Sequence, residues 1–263
     1  GTGMGYLEQV VAIEEVSRGS ASIGLSYGAH ANLCVNQINR NATPEQKARY
    51  LPKLISGEHI GALAMSEPSA GSDVVGMKLR AEKRGERYIL NGSKMWITNG
   101  GIADLFIVFA RTDTDKCLKH HAISAFLITR DTEGFTVGPP EKKMGIRGST
   151  TTTLFLDSCR IPAKNLLGTE GDGFKLAMAT LDGGRIGIAS QAVGIACAAM
   201  DEAVKYAKER KQFNNPLAKF QAIQIKIANM ATDIDAARLL VIRATRLKDA
   251  GKNHTREAAM AKL

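Results

Sequence analysis

The clearest structural signal in the chain is carried by Ala64-Met65-Ser66-Glu67-Pro68-Ser69-Ala70-Gly71-Ser72-Asp73. A second stretch with the same character follows further along the chain and reads Lys94-Met95-Trp96-Ile97-Thr98-Asn99-Gly100. In each stretch a short apolar run stops abruptly at hydroxyl side chains, a glycine or an asparagine. A strand has this pattern when its end must hydrogen-bond something other than a neighbouring strand. The two stretches therefore predict two strand ends that serve a ligand site.

The composition is that of an ordinary globular protein. The chain has 263 residues, of which 44% are hydrophobic and 23% are charged, and these values argue against disorder. This length suits one large domain or two to three smaller layers. The formal charge of +9 comes from scattered Lys and Arg, so nucleic-acid binding is not supported. A positive field would equally suit a phosphorylated small ligand.

The cysteines indicate reduced, structural thiols of an intracellular protein. They lie far apart and lack the spacing of zinc or redox motifs, so we expect no metal site. The four are Cys34, Cys117, Cys159 and Cys197. No apolar run approaches the length of about 20 residues that spans a bilayer, and no signal or transit peptide is visible. The chain opens in mid-pattern at Gly1, which leaves open a segment that precedes it.

The first sixty residues have helical patterning. Residues 6–18 place apolar side chains on one face of a predicted helix. A second helix begins at Thr43, which can cap it, and Pro44 suits the first turn. Gln46 can complete a capping box with Thr43. This helix is predicted to end near Gly57, because glycine is typical of the position after a helix.

From Ile60 to about Pro162, short segments rich in β-branched and aromatic residues predict strands. They are Lys78–Lys83, Tyr88–Leu90, Lys94–Thr98, Leu105–Ala110, Ile123–Thr129 and Thr152–Leu156. Asn91-Gly92 predicts a hairpin between two of these runs, and Gly85 lies in a second tight connection. Strands that follow one another without intervening helices imply an antiparallel sheet or barrel.

Two long helices are predicted after Gly168. The first covers residues 174–208 and is rich in alanine. The second covers residues 219–250, where apolar residues spaced alternately four and three apart form a seam for packing on other helices. These residues are Ile223, Ile227, Met230, Ile234, Ala237 and Val241. A helix of this length would measure about 45 Å, which is typical of a bundle. Thr255 is predicted to cap a further helix, incomplete at Leu263.

The predicted fold class is therefore α+β, in the order helices, β domain and helical bundle. We place the domains at residues 1–60, 61–165 and 166–263, and we expect the first and last to be incomplete. No GxGxxG motif follows a strand, and there is no Walker loop, HExxH or GxSxG motif. The glycines of residues 168–173 fit a turn into the next helix better than they fit a phosphate loop.

The two opening stretches have the chemistry to bind a flat heterocycle. Pro68 and Gly71 free backbone N–H groups, and glycine lets the chain approach a ligand closely. Trp96 is the only tryptophan and could form a wall beside such a ring, with Thr98 as a hydrogen-bond donor. The alternatives are an ordinary surface loop at residues 66–72 and a sheet-core position for Trp96.

Four further motifs follow the opening pair in order. They are Met144-Gly145-Ile146-Arg147-Gly148-Ser149, Leu181-Asp182-Gly183-Gly184-Arg185-Ile186, Glu209-Arg210-Lys211-Gln212-Phe213 and Phe220-Gln221-Ala222-Ile223-Gln224. With these six elements the chain resembles the acyl-CoA dehydrogenase family from end to end. The resemblance implies a helical N-domain, an antiparallel β-barrel middle domain and a C-terminal four-helix bundle, truncated in this chain. It also implies a homotetramer.

The same resemblance implies the site residues. FAD would be bound by Leu63, Met65, Ser66, Gly71, Ser72, Trp96, Ile97 and Thr98, with Thr98 at the flavin N5 edge. Three residues would reach the FAD of a neighbouring subunit, namely Arg210, Phe213 and Gln221. The acyl-CoA would meet Ser72, Asp182 and Arg185, and Arg185 would orient the catalytic base. The alternatives are a surface ion pair between Asp182 and Arg185 and a solvated helix charge at Arg210.

The catalytic base is the missing part of this implied site. Removal of the weakly acidic α proton requires a positioned carboxylate, while FAD accepts the hydride. Residues 27–34 resemble isovaleryl-CoA dehydrogenases, whose base lies at the position of Gly184. Glycine carries no acid, so Gly184 agrees instead with the short- and medium-chain branch, whose base would lie beyond Leu263. The candidates by carboxylate identity alone are Glu67, Glu170 and Glu202.

The resemblance therefore implies FAD-dependent α,β-dehydrogenation of a short- or branched-chain acyl-CoA, with electrons passed to an electron-transfer flavoprotein. An acyl-CoA oxidase and a non-catalytic assembly subunit are the alternatives. The implied location is the mitochondrial matrix or the bacterial cytoplasm, and the implied pathways are fatty acid β-oxidation and branched-chain amino acid catabolism. His30 is expected to pack in the helical domain rather than bind a ligand.

Overall fold

The computed structural model describes residues 3–113 and 120–263 of the chain. It contains two compact units. The sheet unit is Ser26–Leu181, and the helical unit combines Gly1–Leu25 with Asp182–Leu263.

Four helices build the helical unit: α1 (Tyr6–Gly19), α5 (Gly173–Glu209, from Asp182 onward), α6 (Gln221–Asp249) and α7 (Thr255–Lys262). Both predicted long helices are confirmed, with bounds close to those expected. In the predicted seam of α6, Ile234 and Val241 are buried in the unit's apolar core, while Ile223 is half-buried. Gly194 brings α5 against α1, because a Cβ atom at this position would lie 2.2 Å from the backbone oxygen of Glu14.

Helical segments also precede the sheet: α2 (Ala21–Gly28), a π-helical stretch (Ala29–Val35), α3 (Asn36–Asn41) and α4 (Pro44–Ser56). The predicted capping box is confirmed, with Gln46 N donating to Thr43 Oγ1 at 3.2 Å and Thr43 N donating to Gln46 Oε1 at 3.1 Å. Gly57 follows α4 in the left-handed region, with a φ of 79°. The Gln46 amide also donates to the backbone oxygens of Lys164 and Leu166, which attaches α4 to the sheet.

The main sheet of the described residues has eight strands: β1 (Gly61–Ala64), β2 (Arg80–Arg84), β3 (Arg87–Thr98), β4 (Leu105–Arg111), β5 (Ile123–Thr129), β6 (Phe135–Pro140), β7 (Thr151–Pro162) and β8 (Leu166–Leu167). Their hydrogen-bonded order is β6-β7-β3-β2-β4-β5-β8, with β1 on β4. The α+β class is therefore confirmed. A separate hairpin joins β9 (Lys211–Gln212) to β10 (Asn215–Pro216).

The sheet is mixed, and the expectation of an antiparallel sheet throughout was wrong. Strand β1 runs parallel to β4, with Gly61 opposite Leu105, and β2 meets β4 in parallel at Arg80. The hairpin β2–β3 lies between β1 and β4 in sequence and supplies the crossover that a parallel pair requires. Phe135 of β6 and Leu166 of β8 pack on the same core, so the sheet curls as a barrel does. Its hydrogen-bonded path nevertheless has two ends, β6 and β8.

The predicted Asn91-Gly92 hairpin was also wrong, because β3 runs straight through these residues. Gly92 has a φ of 141°, and the register against β7 shifts between Leu90 and Gly92. Asn91 Oδ1 accepts a hydrogen bond from Ser158 N at 2.7 Å. The pair therefore marks a β-bulge rather than a turn, whereas the tight connection at Gly85 is confirmed as the β2–β3 hairpin.

Strand β4 is buried on both faces. Phe106 and Val108 belong to the core inside the curled sheet, while Ile107 and Phe109 belong to a second core on the other face. This second core includes apolar side chains of the π-helical stretch, of α4 and of the first turns of α5. Burial on both faces explains why β4 is a continuous apolar run without alternation.

Candidate functional site

The first strand end leaves β1 and turns back on itself. Glu67 N donates to Ala70 O at 3.0 Å, and Ala70 N donates to Glu67 O at 3.1 Å. Two of the N–H groups in this segment are therefore used by the turn itself. Among the described residues, the N–H groups of Gly71 and Ser72 and the hydroxyl of Ser66 form no hydrogen bond. These three donors are available to a ligand.

Gly71 lies beside open space. A Cβ atom built at this exposed position would meet no atom within 4 Å, and its φ is not among the positive values. Neither packing within the chain nor backbone conformation therefore requires a glycine here. A ligand that approaches the backbone closely would give the residue a purpose.

The second strand end, at the end of β3, projects its tryptophan out of the sheet. The register against β7 shifts between Lys94 and Ile97, and Trp96 within this bulge has a φ of 61° and is 57% exposed. The alternative that Trp96 is a sheet-core residue was wrong. Ile97 is buried and Thr98 half-buried, and both are paired with β7 again. The Thr98 hydroxyl forms no hydrogen bond within the described part of the chain.

The turn after β3 is held by two polar side chains, the buried Asn99 and the half-buried Arg130. Asn99 has a φ of 64°, and its side-chain amide donates to Ser26 O at 2.9 Å. Arg130 donates to Gly100 O at 2.7 Å and to Ala103 O at 2.6 Å. These contacts fix the end of β3 from outside the strand ladder. Sequence reasoning did not find Arg130, because its position carries no motif.

The two strand ends meet. Met95 N donates to Ser66 O at 2.9 Å. The Lys94 side chain reaches the same segment, with its Nζ atom 2.9 Å from Met65 O and 2.9 Å from Glu67 Oε1. The Leu63 side chain is half-buried and Met65 is buried, at the base of this wall.

Lys94 and Glu67 form a buried ion pair that sequence reasoning missed. The Lys94 side chain is fully buried and that of Glu67 is 4% exposed. Burial lowers the pKa of Lys94 to about 8, although the attraction of Glu67 opposes this shift. Removal of one partner from a buried ion pair typically costs about 3–5 kcal/mol. Its sequence neighbours, Ser93 and Met95, gave no sign that its cation lies inside the sheet.

Of the three carboxylates considered by identity, two already accept hydrogen bonds and the third is exposed to solvent. Glu67 accepts hydrogen bonds from Lys78 N, Leu79 N and Lys94 Nζ. Glu170 accepts one from Tyr88 Oη at 2.8 Å. Burial, with this carboxylate, raises the pKa of Tyr88 to about 12. Glu202 is exposed on α5. Gly184 offers no acid.

In the helical unit, Asp182 is the centre of a small polar cluster. Its carboxylate forms an ion pair with Arg185 one turn further along α5. Its other oxygen accepts a hydrogen bond from Thr255 Oγ1 at 2.8 Å. Thr255 therefore donates to Asp182 instead of capping α7 as predicted, and His254 holds the cap position without a side-chain hydrogen bond to the helix. With a third partner, the pair is more than an isolated surface ion pair.

The remaining predicted residues lie around the β9–β10 hairpin of the helical unit. Phe213 and Asn214 form its turn, with φ values of 50° and 60°. Phe213 is 87% exposed. Arg210, just after α5, is also exposed, and Leu217 N donates to its backbone oxygen at 2.9 Å. Gln221 is the exposed first residue of α6.

His30 packs within the sheet unit. Its Nε2 atom lies 2.9 Å from Leu54 O, and its Nδ1 atom accepts a hydrogen bond from Gly61 N at 2.9 Å. This geometry requires a neutral ring with the proton on Nε2, which links the π-helical stretch to α4 and β1. Burial lowers the pKa of His30, in agreement with the neutral form.

Residues 3–113 and 120–263 carry neither a metal cluster nor a membrane-spanning helix. No group of three or more His, Cys, Asp or Glu side chains in these ranges could hold a metal ion. No helix there is both long enough and apolar enough to cross a membrane. Cys34, Cys159 and Cys197 are buried free thiols, and Cys117 lies outside the described residues.

Comparison with known proteins identifies the class. Three family models match in succession: the acyl-CoA dehydrogenase N-terminal domain at residues 1–58, the middle domain at 62–159 and the C-terminal domain at 171–263. The chain therefore belongs to the acyl-CoA dehydrogenase family.

Individual relatives narrow this description. The chain is 49% identical to an acyl-CoA dehydrogenase of Bacillus subtilis, covering 100% of this chain and 69% of the relative. It is 48% identical to the mitochondrial isovaleryl-CoA dehydrogenase of Arabidopsis thaliana, covering 98% and 63%. It is also 48% identical to the short-chain specific acyl-CoA dehydrogenase of Clostridium acetobutylicum, covering 100% and 69%. The chain thus spans about two thirds of the length of each of these relatives.

The fold agrees with solved structures. Butyryl-CoA dehydrogenase from Megasphaera elsdenii matches with a TM-score of 0.95 and 47% identity, over 99% of this chain and 68% of that one. A glutaryl-coenzyme A dehydrogenase matches with a TM-score of 0.94 and 38% identity, over 99% and 66%. The arrangement of helical N-terminal domain, sheet middle domain and helical C-terminal domain is therefore that of the family.

Proposed function

We propose that the protein is a flavin-dependent dehydrogenase that converts a short- or branched-chain acyl-CoA thioester into the 2-enoyl-CoA. The observation that carries this proposal is the meeting of the two strand ends, tied by the hydrogen bond from Met95 N to Ser66 O. The similarity to short-chain specific and isovaleryl-CoA dehydrogenases supports the substrate class.

The strand ends of the sheet unit suit FAD. Free hydroxyls, free backbone N–H groups and the exposed Trp96 ring offer what a flat, polar-edged ring system needs. FAD, when bound, would accept the hydride from the β carbon of the substrate. The proposed FAD contacts in this unit are Leu63, Met65, Ser66, Gly71, Ser72, Trp96, Ile97 and Thr98.

The helical unit would contribute to the substrate and to a second subunit. Asp182 and Arg185, with Ser72 of the sheet unit, would contact the acyl-CoA, and the tether to Thr255 would keep Asp182 in place. In a homotetramer, the hairpin and helix start of one subunit would reach the FAD of its neighbour through Arg210, Phe213 and Gln221.

The proton acceptor would be a carboxylate that Arg185 orients. Gly184 carries no acid and Glu67 is fully engaged by three donors, so neither serves. We place this base in the part of the relatives that the chain does not span.

An electron-transfer flavoprotein would accept the electrons. The location would be the mitochondrial matrix or the bacterial cytoplasm, in fatty acid β-oxidation or branched-chain amino acid catabolism, with domains at residues 1–60, 61–165 and 166–263.

A matched pair of glycine variants tests the flavin site. Gly71→Ala should change the free energy of unfolding by less than about 0.5 kcal/mol, because the added Cβ meets open space. It should weaken FAD binding by about tenfold if the flavin approaches the backbone there. Gly145→Ala is the control, since this exposed loop glycine also faces open space. FAD affinity is measured by fluorescence quenching.

Failure to retain FAD, or equal FAD affinity in both variants, would contradict the proposed site. Retention of FAD also separates an enzyme from an assembly subunit. Flavin bleaching by butyryl-CoA or isovaleryl-CoA under anaerobic conditions would identify the substrate. Slow reoxidation in air would favour a dehydrogenase, and fast reoxidation an oxidase.

A further inference from the structure

The buried ion pair of Lys94 and Glu67 lies at the junction of the two strand ends. Lys94 Nζ contacts Met65 O, Glu67 Oε1 and, at 3.9 Å, Met77 Sδ. All three partners belong to the segment that leaves β1, whereas Lys94 itself belongs to β3. The lysine therefore connects the two stretches through its side chain, beside the backbone bond between Met95 and Ser66.

The Glu67 carboxylate holds the other side of the same loop. It accepts hydrogen bonds from Lys78 N at 2.6 Å and from Leu79 N at 3.0 Å. The segment from residue 68 to residue 77 is thereby closed at its base, and Gly71 and Ser72 lie on it. The Glu67 carboxylate thus holds the far end of the loop, while the Lys94 ammonium attaches the loop to β3.

A buried ion pair of this kind carries a large desolvation cost. Two charges lose their hydration on burial, and an apolar pair of similar volume is often as stable. The pair does, however, define geometry, because each charge is satisfied only when its partners are in place. Lys94 lies two residues before Trp96 along β3, and Glu67 lies next to Ser66 in the chain.

We infer that Lys94 and Glu67 form a positioning pair that fixes the Ser66–Ser72 loop against Trp96 and Thr98 in the arrangement that binds the flavin. This inference rests on the proposed function. In this inference both residues support cofactor binding by holding the loop in position, without contacting the cofactor themselves.

The test compares two variants of the full chain. Lys94→Met/Glu67→Gln removes both charges together, and the glutamine introduced in place of Glu67 keeps the shape of the side chain. Its single amide oxygen can still accept from Lys78 N or from Leu79 N, which Glu67 binds through separate oxygens. Arg238→Met is the control, because Arg238 is paired with Glu14 in the helical unit at 2.8 Å, away from both strand ends in the chain. The thermal unfolding midpoint of each protein is recorded first, so that variants are compared while folded.

Two readouts follow. Trp96 is the only tryptophan, so its emission spectrum without FAD reports the end of β3 alone. FAD affinity is measured by flavin fluorescence quenching. The charge-free variant should shift the Trp96 emission and bind FAD at least about tenfold more weakly, while Arg238→Met should match the unmodified protein in both.

If either the Trp96 emission or the FAD affinity of the charge-free variant equals that of Arg238→Met, the inference is overturned while the proposed function stands. Absence of FAD binding by the unmodified protein would instead remove the proposed function, and the inference with it. The two failures are therefore distinguishable.

Discussion

At the scale of the residue, side chains that look alike in sequence have different tasks here. Lys94 is one of 35 Lys and Arg residues and, within the part of the chain that the structure describes, the only one of them that is buried, so its role was invisible before its surroundings were known. Trp96 could be read as core or as ligand wall, and its exposed position in a bulge excludes the core. Position within a register, rather than residue type, separates the two cases.

His30 gives the residue scale a prediction about pH. Its folded-state pKa lies below 6.5, chiefly because burial disfavours the charged ring. The unfolded chain therefore takes up a proton first as the pH falls, so the stabilisation is complete above about pH 6.5 and is lost as the pH falls through the folded pKa.

The measurement compares His30→Gln with the unmodified protein, because a glutamine amide can donate to Leu54 O and accept from Gly61 N without titrating. Thermal unfolding midpoints between about pH 5 and 8 should fall more steeply toward acid for the unmodified protein. Parallel curves would show that His30 does not carry this pH dependence.

At the scale of the element, the helices and the hairpin at Gly85 were predictable, whereas the pairing of distant strands was not. The capping box at Thr43 and the seam of α6 are local signals, readable from neighbours in sequence. The parallel pairing of β1 with β4 depends on residues far apart in the chain, and no local pattern encodes it. Asn91-Gly92 has the composition of a turn, yet the hydrogen bond to Ser158 and the pairing with β7 keep it in a strand.

Gly92 provides the element-scale prediction. Its φ of 141° is unfavourable for a side chain, and a Cβ atom there would lie 3.0 Å from Leu79 Cα. Gly92→Ala should therefore lower the free energy of unfolding by about 1–3 kcal/mol, measured by urea denaturation. Gly85→Ala is the comparison, because its φ of 58° is strained but no atom lies within 4 Å.

The cost at Gly85 should be nearer about 1 kcal/mol, from the backbone conformation alone. If Gly92→Ala were no more costly than Gly85→Ala, the bulge in β3 would have to be more adaptable than its contacts indicate.

At the scale of the whole molecule, the order of helices, sheet and helices followed from the sequence, and so did the family. The wall of the candidate site was also predictable, since both strand ends carry their own signals. The polar contacts that hold the two strand ends together were not predictable. The Lys94–Glu67 contact joins residues 27 apart in sequence, and the contacts of Arg130 and Asn99 likewise join distant segments.

Phe213 supplies the prediction at this scale. An aromatic side chain that is 87% exposed on a turn with positive φ is unfavourable in isolation, so the proposed tetramer should cover it. Phe213→Ala should therefore weaken both self-association and FAD binding, measured by analytical ultracentrifugation and fluorescence quenching. Tyr206→Ala, at another exposed aromatic residue, is the control. Unchanged association of Phe213→Ala would contradict a role for this hairpin between subunits.

The distance in sequence between Glu67 and Lys94 has a consequence for synthesis of the protein. The carboxylate leaves the ribosome 27 residues before its lysine. At a rate of about 5–20 residues per second, it waits roughly one to five seconds for a counter-charge. During that interval burial of the nascent loop in an apolar interior is unfavourable, because its unpaired carboxylate would lose its hydration. The same pair would therefore delay closure of the first strand end until the second has been made.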